Sequence, residues 1–145
     1  MRVRSQAFLL VGLGFLAGAG CKKNSESAGT DAAMAPAEVK ISDVQLGRRI
    51  GANSRIADAT DKFGSRDTIY AVAVTEGAAP SATVTARWTF ENGQVVKEDS
   101  RTIAPGGTEA TEFHISKPSG WPKGKYKVDI GVGNASHQTK DFEVK

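Results

Sequence analysis

Ala82-Thr83-Val84-Thr85-Ala86-Arg87-Trp88-Thr89-Phe90 decides the fold. Val84, Ala86, Trp88 and Phe90 fall on one side of an extended chain, and Thr83, Thr85, Arg87 and Thr89 fall on the other. That period of two belongs to a strand with one face in a core and one in water. Asn92-Gly93 follows at once and is the strongest short hairpin signal in the chain. Residues 94–98 are therefore expected to return antiparallel beside residues 82–90.

The same period recurs on both sides. Upstream, Tyr70, Val72 and Val74 alternate with Ile69, Ala71 and Ala73, so residues 67–75 read as a central strand. Earlier still, Val39, Ile41, Val44 and Leu46 alternate with a slip at Ser42 and Asp43 that suits a β-bulge. Between Gly47 and Arg66 only Ile50, Ile56 and Phe63 look apolar enough to bury, and residues 54–62 are expected to form a loop or an edge strand. Downstream, Phe113 and Ile115 point inward, then Tyr126, Val128, Ile130 and Val132, then Phe142 and Val144. Pro105-Gly106-Gly107, the Pro/Gly corner at 117–124 and Gly133-Asn134-Ala135 punctuate these runs. About seven strands with turns at regular spacing, and no convincing amphipathic helix, predict an all-β antiparallel sandwich over residues 39–145.

Trp88, in the third main strand, and Tyr126, early in the penultimate one, occupy the places of the core tryptophan and corner tyrosine of immunoglobulin-like domains, which the chain resembles. The resemblance implies that both residues are structural and that the Tyr126 hydroxyl bonds a backbone group near the corner. The cysteine pair of antibody domains is absent, and Val128 stands where the second cysteine would be. Residues 63–70 and 120–128 also resemble, in outline, uncharacterised envelope domains of proteobacteria. None of these motifs implies a catalytic residue.

The N-terminal end carries an address. Arg2 and Arg4 precede an uncharged run, residues 7–19, that contains Phe8, Leu9, Leu10, Val11, Leu13, Phe15 and Leu16. This is the charged head and apolar core of an export signal over residues 1–20. The run is shorter than the roughly 20 residues that span a bilayer. Gly18-Ala19-Gly20-Cys21 then resembles the lipobox of bacterial lipoproteins, with Gly18 standing where a large aliphatic residue is usual. The resemblance implies a covalent lipid on Cys21, the only cysteine, and hence membrane attachment. Residues 21–38 lack aromatic and β-branched aliphatic side chains and read as a flexible tether. Some sixteen such residues reach roughly 20–25 Å. Lys22, in place of the aspartate of inner-membrane retention in enteric lipoproteins, points to the outer membrane or cell surface.

Charge excludes one class of partner. The formal net charge is +3, from 19 basic and 16 acidic residues. Removing residues 1–20 takes two arginines and leaves 17 against 16. Interspersed, nearly balanced charge is no footprint for nucleic acid. Candidate chemistry is sparse. Glu112 and His114 share a strand face, but nothing places His137 beside them, so no metal site is expected. Asp58, Asp61 and Asp67 lack the spacing of a calcium loop and suit turn caps. Ser119 has no nucleophile elbow around it. Catalytic residues and cofactors other than the lipid are not expected. Trp121, held between Pro118 and Pro122 in the Pro/Gly corner, is expected to plug one end of the sandwich; exposed, it would be the candidate interaction surface, for a glycan ring or a protein loop. The resulting expectation is a lipid-anchored envelope module that binds a protein partner. A carbohydrate-binding or adhesive domain is the alternative, and a small hydrolase or metalloenzyme is a weaker one.

Overall fold

The computed structural model describes residues 38–145. The expected signal peptide, Cys21 and the expected tether up to residue 37 lie outside the described residues. Eight strands make up the domain: β1 (Lys40–Gly47), β2 (Lys62–Phe63), β3 (Ile69–Glu76), β4 (Ala82–Phe90), β5 (Val95–Ile103), β6 (Glu109–Ile115), β7 (Gly124–Val132) and β8 (Ser136–Val144). They form a three-stranded sheet in the order β1-β3-β6 and a five-stranded sheet in the order β2-β8-β7-β4-β5. The fold is the antiparallel sandwich that the alternation predicts, and it is immunoglobulin-like, as the resemblance at Trp88 and Tyr126 implies.

Local chemistry accounts for the joints. At Ser42 the β1/β3 register slips between Ile41 and Asp43, so the bulge sits where the alternation broke. Asn92-Gly93 closes the β4/β5 hairpin with Gly93 at φ 83°, while the Phe90 N–H bonds the Gln94 carbonyl. This is the three-residue hairpin in which glycine takes the left-handed position. The bulge between Trp88 and Thr89 adds twist beside it.

One feature departs from the sequence reading. Residues 54–61 form a loop, as expected. A short 3-10 turn (Ala52–Ser54) and isolated bridges from Gly47 to Ala59 and Ile50 to Ile56 fold this segment back on itself. The chain then enters β2, which pairs parallel with the end of β8, so the sandwich has eight strands and one parallel pair. Phe63 explains it: burying this ring edge-on to Phe142 at 5.6 Å draws its backbone alongside Val144.

Among the described residues, one continuous core drawn from residues 39–144 lies between the sheets. Trp88 is fully buried and stands edge-on to Phe142 at 5.8 Å, and Phe142 stacks on Tyr126 at 5.3 Å. Ile69, Ala71, Ala73, Phe113 and Ile115 close it from the smaller sheet. Burial of a large aliphatic or aromatic side chain contributes about 1.5–3 kcal/mol, so this core alone replaces the disulfide of antibody domains.

Candidate interaction surfaces

The Pro/Gly corner is pinned rather than presented. Trp121 is 7 % exposed, so it does not form the open platform that an interaction surface of its own would need. Its indole N–H donates to the Asp67 carbonyl at 3.1 Å and its backbone N–H to the Ser65 carbonyl at 2.6 Å. Its ring meets Tyr126 edge-on at 6.4 Å, and the Lys117 ammonium lies 6.0 Å above it. The ring plugs the end of the sandwich because Gly120, at φ 87°, turns the chain against Ser65. Tyr126 makes the corner bond expected of it, donating its hydroxyl to the Pro122 carbonyl at 2.7 Å. Burial first, and the Glu91 carboxylate second, push its phenol pKa up.

Asp67 joins this corner to the segment before it. Its carboxylate accepts from the Gly64 N–H at 2.8 Å and from Arg48 Nε at 2.9 Å, while Arg48 Nη2 donates to the Lys62 carbonyl at 2.7 Å. The Gly64 hydrogen bond, opposed by partial burial and assisted by Arg48, holds the carboxyl below its ordinary range. A depressed folded-state value means that the stabilisation is complete above the unfolded pKa, about 3.9. It is lost as pH falls through the lower folded value. In urea titrations, Asp67→Asn is expected to be less stable than the parent at neutral pH, with the gap narrowing below about pH 4. A gap independent of pH would show that the ionised carboxylate is not what matters.

The other polar candidates are scattered. Glu112 Oε1 lies 3.3 Å from His114 Nδ1, and the His114 ring packs against Tyr70 at 5.5 Å, on the outer face of the small sheet. His137 belongs to the other sheet, on β8, where it covers Gly131 and sits 4.0 Å from Asp129. Among the described residues no group of three His, Cys, Asp or Glu side chains is placed to hold a metal ion. Asp58 and Asp61 serve through backbone carbonyls, which accept from the Arg48 and Glu143 N–H groups. Ser119 is an exposed turn residue.

A surface not expected from the sequence runs along one side of the sandwich. β5 and β6 are each paired on one edge only, and they face one another across an open groove of about 540 Å³ between residues 100–103 and 109–112. A second, separate hollow on β5 and β6 is lined by Lys97, His114, Lys117 and Trp121. The register puts Lys97, Asp99 and Arg101 of β5 opposite the inward positions Trp88, Ala86 and Val84 of β4. A charged row therefore occupies the inner face of this edge strand, a device that blocks indiscriminate strand addition. Lys97 Nζ donates to the His114 carbonyl at 3.4 Å, and the Arg101 guanidinium lies 5.7 Å from the Phe113 ring centre. The His114 carbonyl thus opens toward β5, and by strand alternation so do those of Ala110 and Glu112. Thr111, 5 % exposed, lines the groove with a hydroxyl that has no hydrogen-bond partner. Only the polar run 97–102 hinted at this row, because a buried inner face would have alternated.

No family model and no curated protein matches the chain. Solved structures do match. An immunoglobulin-like protein from Pseudomonas aeruginosa aligns at TM-score 0.54 and 18 % identity, over 77 % of this chain and 99 % of that one. A CARDB domain from Pyrococcus furiosus, solved with two metal ions, aligns at TM-score 0.50 and 14 % identity, over 76 % and 90 %. A cycloisomaltooligosaccharide glucanotransferase from Paenibacillus aligns at TM-score 0.53 and 20 % identity over 74 % of this chain, which spans 14 % of the enzyme's length. At these identities the likeness concerns the fold.

Proposed function

We propose that this chain is a non-catalytic envelope module, anchored by a lipid on Cys21, that binds a protein partner along the open side between β5 and β6. One observation carries the reading: two unpaired strand edges face each other across a groove that contains an unsatisfied buried hydroxyl. Extended protein segments are recognised by such edges through main-chain hydrogen bonds, with side-chain positions supplying specificity. The similar folds of an immunoglobulin-like protein and of a CARDB domain are in keeping with a non-catalytic module. Glycan binding has less support, because Trp121 is buried rather than presented as an open platform. The two histidines stand on different sheets, each against a single carboxylate, which favours binding over hydrolysis.

A photoreactive phenylalanine analogue placed at Arg101 or Glu112, in cells making the full chain, is expected to yield a discrete crosslinked species. The same probe at Thr139, on the outer face of the five-stranded sheet, is expected to yield none. Uncrosslinked monomer from all three positions overturns the proposal.

A further inference from the structure

The fold segregates charges that the sequence intersperses. At one end of the sandwich β1, β4, β6 and β8 finish and β3, β5 and β7 begin. Residues 48–68, 91–94, 116–125 and 143–145 gather there, and they hold nine of the domain's fifteen cations against five of its fourteen anions. This pole is +4, and the rest of the domain, six cations against nine anions, is −3. A net charge of +1 over residues 38–145 conceals that separation.

The excess is free to act. Arg49, Arg55, Arg66, Lys117, Lys123 and Lys125 are exposed, and none forms an ion pair with a described residue. The chain arrives from its N-terminal segment at the opposite end, where Lys40 pairs with Glu76. The eight residues of β1 put roughly 25 Å between that point and the cationic pole. The pole therefore lies at the end of the domain away from residues 38–40.

We infer that this pole docks on an anionic phospholipid surface. A folded protein partner is recognised through an apolar centre ringed by polar groups. The pole has no such centre, since Val95, at 40 % exposure, is the one exposed large hydrophobic residue among those described. What it has is cationic heads on long stems around exposed turns. That arrangement suits a dense, laterally mobile array of phosphates, which attracts each nearby Lys or Arg and weakens with salt. The inference is independent of the β5/β6 groove and of Cys21.

The test uses residues 33–145, which contain the whole core, so vesicle binding by the apolar segment 7–19 does not intervene. Cosedimentation with vesicles of equal parts phosphatidylglycerol and phosphatidylcholine is expected at low salt, and none with pure phosphatidylcholine. The triple variant Arg49→Glu/Arg55→Glu/Lys123→Glu is expected to lose about tenfold or more in partitioning. Lys40→Glu/Lys127→Glu/Lys140→Glu, with the same change in net charge elsewhere, is expected to keep most of it. Circular dichroism checks that both variants are folded. Equal losses in the two variants, or no preference for anionic vesicles, overturn the inference.

Discussion

Replacing Trp88 with alanine is expected to lower the stability of the domain by about 3–5 kcal/mol, the usual cost of removing a core aromatic. Trp88 is fully buried on β4 of the five-stranded sheet, opposite Val128 in register and edge-on to Phe142. Val128 and Phe142 cannot readily collapse into the vacated space, because β7 and β8 are each paired on both sides. With one cysteine in the whole chain, no internal disulfide limits the loss. Single domains hold only about 5–15 kcal/mol in total, so much of the variant should be unfolded at physiological temperature. Trp88→Phe is a sharper probe. The indole N–H has no partner, so phenylalanine removes an unsatisfied buried donor together with part of the ring. It should cost well under half of the alanine loss. Urea unfolding followed by far-ultraviolet circular dichroism gives both values, and equal losses would mean that the indole N–H is satisfied in solution.

Trp121→Ala is expected to destabilise the domain by about 3 kcal/mol or more. The substitution empties the plug of the sandwich, leaves the Asp67 carbonyl without its 3.1 Å donor and removes the edge contact with Tyr126. Trp121→Phe keeps most of the packing and loses the hydrogen bond, a difference of about 1 kcal/mol. Had Trp121 been a glycan platform, alanine would leave the melting curve in place and abolish ligand binding. A Trp121→Ala protein as stable as its parent would return this residue to the surface and revive the carbohydrate reading.

The strands with one wet face were legible because burial imposes a period of two on the residues themselves. That is why 82–90, 124–132 and even the slip at Ser42 could be read directly, and why Trp88 and Tyr126 could be placed. β2 was not legible: two residues carry no period, and only its parallel pairing with Val144 defines it. The 97–101 row misleads for the opposite reason, since Lys97, Asp99 and Arg101 are charged at inward positions, where an edge strand sacrifices burial to guard its edge. The exposure of Trp121 depends on Ser65 and Asp67, more than fifty residues away in sequence, and no local pattern reports such a contact. The cationic pole escaped for a similar reason. Arg49, Arg55, Lys117 and Lys123 are neighbours only once the strand ends are gathered.

The most direct measurement is the intact mass and N-terminal peptide of the chain recovered from membranes of cells that process it. A mature N-terminus beginning at Cys21 and carrying lipid, lost from the membrane fraction in Cys21→Ala, is the predicted result. A chain with unmodified Cys21 that fractionates identically with and without the substitution would contradict the lipid-anchored reading.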